Sequence, residues 1–316
     1  MRKRKRVNGR LLTLIAFLLI FIGACGDSSE DSNGEESLNV VVTTTHLSDL
    51  AQDIGGEHVQ VTGLMGPGVD PHGYEPTPSV IDAIHQADLV GYNGLHLEAM
   101  FIDIFEKMEE SNSEIFALED AVREEDVLDY TYEGKDLEKD PHIWFDIDLW
   151  KAAAQLTADE FSRLDPAHEG AYQANYEDYV FRLDELNKEI EDKLAELPED
   201  KRILITAHDA FSYFGENYGF QVEGIQGINS QTEAGTGDIS LTADLVIEND
   251  IKACFIESSI SDRNIQALIE AVEAQGASLE IGGELYSDAL GTDEDEAGNY
   301  FDAYRTNVAT IVDALK

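Results

Sequence analysis

Short runs of β-branched and other apolar residues recur along the chain. In the first half they are Leu38–Thr43, Val59–Met65, Asp88–Tyr92 and Glu114–Leu118. In the second half they are Arg202–Thr206, Phe220–Ile225, Lys252–Glu257 and Ser278–Ile281. Runs of this length and composition read as strands. Helical patterns separate most of them. Thr77 and Pro78 supply an N-cap and a proline at the first helical position, ahead of Val80, Ile81 and Ile84. Ser261 offers a cap to the helix carrying Ile265, Leu268, Ile269 and Val272. Strands alternating with helices predict an α/β fold whose parallel sheets are covered on both faces.

Between the halves lies the strongest helical signal. Tyr172, Tyr176, Tyr179, Leu183, Leu186, Ile190, Leu194 and Leu197 follow one another at steps of three and four, which keeps one stripe inward. At 1.5 Å per residue this stretch reaches roughly 39 Å, and it contains no Gly, Ser or Pro. The expected architecture is two lobes, each a mostly parallel sheet with flanking helices, bridged by one long rigid helix. The N-terminal lobe takes residues 38–165, the linking helix 166–198 and the C-terminal lobe 199–316. Segments 41–64 and 203–225 echo each other as strand, Thr/His turn, short helix, Gly and second strand, which suggests a duplicated unit.

Residues 1–10 hold six cations and no acid, and residues 11–22 are apolar except for Thr13. The apolar run is short for a bilayer span of roughly 20 residues. With Gly23 and Ala24 it reads as a secretory signal over 1–24, the alternative being an N-terminal membrane anchor. Cys25 follows Ile22-Gly23-Ala24, which resembles a bacterial lipobox and implies cleavage before Cys25 and acylation of its thiol. Ordinary cleavage with an incidental cysteine is the other reading. Residues 25–37 then form the lipidated Cys and a flexible polar tether.

Charge narrows the function. The chain has 65 Asp and Glu against 21 Lys and Arg, a formal net charge of −44. Removing the six cations of the leader leaves 15 − 65 = −50. Nucleic-acid binding needs clustered cations and is excluded as a likely role. So acidic a surface reads as a solvated, salt-adapted face, the alternative being that it concentrates cations near the protein. Two cysteines, Cys25 and Cys254, are too few for a disulfide framework or a thiolate metal cluster.

The eight histidines sort by context. His72 lies in GPGVDPHGYEPTPS after a predicted strand, His142 in DPHIWFD, and His208 in ITAHDAFSYF directly after a strand. Asp288 lies in GGELYSDALG after the last strand. Ligands of parallel α/β sheets bind beyond the carboxyl ends of strands, so these four residues, two from each half, can meet in the crevice between lobes. Neutral imidazoles with a carboxylate suit Zn²⁺ or Mn²⁺. The carboxylate lowers the buried charge from +2 to +1 and with it the desolvation cost. Proline ahead of His72 and of His142 restricts each backbone before it binds.

At these residues a resemblance becomes specific. GLMGPGVDPHGYEPTPS, DPHIWFDIDLW, ITAHDAFSYFGENYGF, ACFIESSIS and GGELYSDALG are similar to segments of the TroA-like metal-binding lipoproteins of bacterial manganese and zinc ABC importers. The likeness covers nearly all of residues 38–316. It implies two lobes on one helix, no enzymatic activity, and metal ligands at His72, His142, His208 and Asp288. Some relatives carry Glu at the third position, so His208 places this chain in the His₃Asp subgroup. The resemblance also implies a monomeric protein on the extracellular face of the cytoplasmic membrane, anchored at Cys25, that passes its cargo to an ABC permease driven by an ATPase.

Other polar residues have weaker claims. Glu257, after an apolar strand, is placed to orient a ligand histidine. His46, in the first strand-to-helix loop, is expected to support the ligands or to lie at the surface. His58, His85, His96 and His168 fall on helical or polar stretches and read as surface or packing residues. Cys254 reads as an inert buried thiol. Many zinc-specific relatives carry a His-rich loop before the second ligand, whereas residues 117–140 here contain no histidine. That favours manganese, while three imidazoles favour zinc in bare affinity. Protons should compete with metal as pH falls through about 6.5. A zinc hydrolase is the alternative class, but H-E-x-x-H is absent and four ligands leave little room for an activated water. A surface adhesin is the other, with no extra module to support it.

Overall fold

The computed structural model describes residues 37–132, 135–231 and 234–316. The expected signal segment, Cys25 and nearly all of the tether lie outside the described residues.

The N-terminal lobe is built on a four-stranded parallel sheet in the order β2-β1-β3-β4, with β1 at Leu38–Val42, β2 at Val59–Gly63, β3 at Leu89–Tyr92 and β4 at Ile115–Ala117. Val40 of central β1 pairs with Val61 on one side and Leu89 on the other. Successive strand residues point to opposite faces, so Val40 and Val42 enter one core while Val41 joins Met65, Val80, Ile84 and Phe105 in another. Helix α1 (Thr45–Gly55) starts where the Thr44 hydroxyl accepts the Leu47 N–H at 3.2 Å. Helix α2 (Pro78–Gln86) has the expected cap, with Thr77 accepting from Val80 and proline in the first turn. Helix α3 is Ile102–Glu110 and α4 is Ile147–Leu164, capped by Asp146, whose Oδ1 accepts the Asp148 and Leu149 N–H groups.

Helix α5 (Glu169–Leu194) is the bridge. Tyr172, Tyr179, Leu183, Leu186, Ile190 and Leu194 are buried along it. It packs on α1 and α4 in the first lobe and on α9 (Tyr300–Leu315) in the second. Trp150 of α4 donates its indole N–H to the Tyr179 hydroxyl at 2.9 Å. Arg182 lies 4.1 Å from the Phe301 ring centroid and pairs with Asp53 at 3.0 Å. One apolar core therefore runs from Val40 of β1 through α5 to Val312 of α9.

In the C-terminal lobe β7 (Ile203–His208) pairs in parallel with β8 (Gln221–Gln226), and β9 (Ala253–Glu257) with β10 (Glu280–Leu285). β7 packs against β9, but the ladder comprises two pairs rather than the single sheet expected. Helix α6 (Ser212–Tyr218) joins β7 to β8 and ends at Gly219, whose φ of 71° suits glycine. Helix α7 is Thr236–Glu248 and α8 Arg263–Ala274. Ser261 lies two residues ahead of α8 and accepts only a long 3.4 Å bond from Arg263 N–H. The echo between 41–64 and 203–225 is a pair of parallel β-α-β units, β1-α1-β2 and β7-α6-β8.

Two elements depart from the sequence reading. Residues 129–132 and 135–139 form an antiparallel hairpin, β5 and β6, within the stretch read as a loop. β10 also runs on through Gly282 and Gly283, which read as loop. A Cβ at Gly282 would come within 2.7 Å of Ala314 and 2.9 Å of Phe255, so this glycine admits close strand-on-helix packing.

Candidate metal centre

His208 is the last residue of β7, and His142 starts the turn that leads into α4. His72 sits in the loop after β2, and Asp288 three residues beyond β10. All four side chains are buried, and one donor atom from each lies within 4.8 Å of the others. The imidazole centroids are 5.4 to 5.9 Å apart, a near-equilateral triangle. Asp288 closes it. Its Oδ1 is 3.3 Å from His142 Nε2, and its Oδ2 is 3.1 Å from His208 Nε2 and 3.7 Å from His72 Nε2. Donors sharing a cation at arms of about 2.1 Å sit about 3.4 Å apart in a tetrahedral set, so these separations fit a common ion. Among the described residues the three Nε2 atoms and both Asp288 oxygens have no hydrogen-bond partner. Buried polar atoms are rarely left so.

The far side of each ring explains its aim. The Asp-Pro-His repeat is an Asx turn used twice: Asp70 Oδ1 accepts the His72 N–H and Asp140 Oδ1 the His142 N–H, both at 2.9 Å. Asp140 Oδ1 also lies 2.7 Å from His142 Nδ1. Glu257, at the end of β9, accepts the His208 N–H at 2.9 Å with Oε1. Its Oε2 lies 2.6 Å from His208 Nδ1, off the line of a well-directed hydrogen bond, so this contact is chiefly electrostatic. Asn93 donates from its side chain to the Pro141 carbonyl at 3.0 Å and is itself placed by buried Glu98, which accepts the Asn93 N–H at 2.8 Å and the Thr43 hydroxyl at 2.6 Å.

Electrostatics split the histidines. Burial holds His72 down at about 3 despite the pull of Asp288. Burial also acts against the charge on His142, but Asp140 and Asp288 overcome it and raise the ring to about 9. Burial opposes the charge on His208 too, and Asp288 with Glu257 raises it well above the ordinary value. Asp288, for which burial alone would favour the neutral acid, is held well below the usual carboxylate range by His208 and His142.

His46 is neither a donor nor a surface residue. It lies in the first turn of α1, not at a strand end as His208 does, and it stacks on Trp144 at 4.7 Å. Burial depresses it to about 3. Trp144 in turn meets His142 edge-on at 5.3 Å and donates its indole N–H to the Ser287 carbonyl at 3.0 Å. His85 and His96 are exposed. His58 and His168 are half-buried and stack on each other at 3.9 Å, away from the centre. Cys254 is a buried thiol whose burial pushes it up to about 12. The sequence reading missed Asp140 and Trp144. The aspartate at the same place in both Asp-Pro-His copies was a signal for the first, while nothing local marked the second.

Known proteins agree with this architecture. The family model "Zinc-uptake complex component A periplasmic" matches residues 40–314. The manganese-binding lipoprotein MntA of Bacillus subtilis is 39% identical over 306 residues, covering 97% of this chain and 99% of its own. The zinc-binding protein TroA of Treponema pallidum is 37% identical over 312 residues, covering 99% of each. The solved structure of the periplasmic zinc-binding protein TroA from Treponema pallidum superimposes with a TM-score of 0.84 at 38% identity, over 88% of this chain and 99% of that one. The family is one of metal-binding transporter components, not of enzymes. A match over nearly the whole described chain, on a fold of two α/β lobes and one bridging helix, makes this protein a member of the zinc-uptake component A family of metal-binding proteins.

Proposed function

We propose that this protein is an extracytoplasmic lipoprotein that captures a divalent transition metal, manganese before zinc, between its lobes and hands it to an ABC permease coupled to an ATPase. His72, His142, His208 and Asp288 are the ligands in this reading, with Glu257 holding His208 and His46 backing the site through Trp144. The observation that carries it is the convergence of five buried, unpartnered donor atoms on one point. Three imidazoles with a carboxylate bind borderline cations such as Mn²⁺ and Zn²⁺ and offer little to the harder Mg²⁺ or Ca²⁺. A bidentate Asp288 would give the higher coordination number that manganese accepts. The histidine-free stretch 117–140 and the manganese-binding relative at 39% identity support manganese as cargo. By the Irving–Williams order zinc binds the isolated protein more tightly.

Residues 1–24 serve as the export signal, Cys25 carries the lipid, and the tether lets a monomer stand off the membrane. Residues 38–165, 166–198 and 199–316 divide as lobe, bridge and lobe. Elemental analysis of protein purified from its own host tests the cargo: manganese at about one ion per chain is expected, and zinc alone would reverse the preference. Mass spectrometry of the same sample tests the anchor, with an acylated Cys25 at the mature N-terminus as the expected result.

A further inference from the structure

The four donors are not held equally. The loops carrying His142 and Asp288 are fastened across the lobes by several hydrogen bonds, most of them buried. Trp144 donates to the Ser287 carbonyl at 3.0 Å, and Leu290 N–H to the Thr45 hydroxyl at 2.8 Å. The Tyr300, Tyr304 and Tyr213 hydroxyls donate to the carbonyls of Trp144, Phe145 and Asp140 at 2.7 to 2.9 Å.

The loop carrying His72 is different. It runs from Leu64 to Thr77 without helix or strand. Among the described residues, the side-chain hydrogen bonds that tie it to the C-terminal lobe run through one carboxylate. Asp70 Oδ1 accepts the His72 N–H at 2.9 Å, while its Oδ2 accepts the Ser230 hydroxyl and, at 3.4 Å, the Gln231 amide. Gln231 also lies over Gly73, where a Cβ would meet its Nε2 at 2.3 Å. A cavity of 310 Å³ lined by Asp70, Gln226, Ser230, Ser259 and Arg263 lies against these contacts. One side of the centre is therefore locked by buried tyrosine and tryptophan bonds, and the other by one part-buried clasp beside open space.

We propose that Asp70 and Ser230 form a clasp that sets the rate of metal release. When the Ser230–Asp70 bond opens, His72 moves out with its loop, and the ion leaves past it while His142, His208 and Asp288 stay in place. Asp70 is thus a positioning residue that couples one ligand to the opposite lobe. This inference rests on the metal-capture reading above. Loss of a hydrogen bond to a charged acceptor shifts an opening equilibrium by roughly tenfold to a hundredfold.

The test is Ser230→Ala in the full chain, which removes the hydroxyl and leaves Asp70 and all four donors. Chelator-trap stopped flow should show Mn²⁺ and Zn²⁺ dissociating roughly tenfold faster or more than from the wild type. The absorption spectrum of the Co²⁺-loaded protein should stay as in the wild type, and Ser230→Thr should keep release slow. An unchanged dissociation rate in Ser230→Ala, with the wild type binding normally, overturns the clasp alone. A changed Co²⁺ spectrum also overturns it, because the donors themselves would have moved. A wild type that takes up none of these ions overturns the capture reading itself.

Discussion

Asp140 holds His142 at two points: the backbone N–H donates to its Oδ1 at 2.9 Å, and the ring Nδ1 lies 2.7 Å from the same oxygen. With Nδ1 so engaged, the ring once it is neutral keeps its proton there and offers the Nε2 lone pair to the centre. Such carboxylate–histidine contacts typically affect metal affinity by about 10- to 100-fold. Asp140→Ala should weaken metal binding by that amount while leaving the circular dichroism spectrum unchanged. Asp140→Asn, which keeps an acceptor for the backbone N–H, should cost less. Competition titration with a coloured chelator reads both, and equal affinities for all three proteins would mean that the ring is aimed by other contacts.

Metal should enter in exchange for protons. His142, raised to about 9, and His208, raised well above its ordinary value, both carry a proton at neutral pH in the metal-free protein, whereas His72, at about 3, does not. Only the deprotonated rings bind metal, so affinity must fall as pH drops below the raised values. One dication then replaces two protons with no change in buried charge, which limits the desolvation cost. Calorimetry in buffers of different ionisation enthalpy should report about two protons released per ion near pH 7. The fall in affinity should begin well above the 6.5 expected from unperturbed histidine. Zero protons released would mean that the carboxylates around these rings do not hold them charged.

His208→Ala and His168→Ala separate donor from bystander. The first removes one donor and leaves Glu257, 3% exposed, without its imidazole. Most affinity should be lost. His168 stacks on His58, with its Nδ1 2.6 Å from Asp165, at the start of α5 and away from the centre. Its removal should leave affinity intact and cost about 1 kcal/mol of stability. Parallel metal titrations and thermal melts distinguish the two, and equal loss of affinity would reject the assignment of donors.

The four residues of the cluster were legible because their signals are local. A histidine just past a strand, an Asp-Pro-His used twice and a carboxylate after the last strand can all be found without knowing the fold. The bridge was legible because Tyr172 to Leu194 keeps one stripe over about six turns, although Leu197 falls just past the helix end. What holds the centre together was not. Trp144 meets Ser287, and Tyr300 meets Trp144, across separations of 143 and 156 residues. Only the folded chain brings such partners together. The hairpin at 129–139 escaped because its second strand, KDLEK, is mostly charged and lacks an apolar face. His46 shows the reverse case. The echo of the two segments pairs it with His208, but it lies in the first turn of α1, stacked on Trp144 and outside the cluster of His72, His142, His208 and Asp288.

The continuous core predicts how the molecule unfolds. Leu186 is fully buried on α5, in the same cluster as Val40 of the first lobe and Val312 of the second. Truncating a buried leucine to alanine costs about 2–5 kcal/mol, because the surroundings relax only partly into the cavity. Leu186→Ala should lower stability by this amount. Since α5 packs on α1, α4 and α9 together, the loss should fall on both lobes. Tryptophan fluorescence reports on the packing between the lobes, where Trp144 bonds Ser287 and Trp150 bonds Tyr179. Far-ultraviolet circular dichroism reports on the whole chain. In urea the two signals should change at one midpoint, shifted together in the variant. Separate midpoints would mean that the lobes unfold independently and that the long helix joins them without coupling their stability.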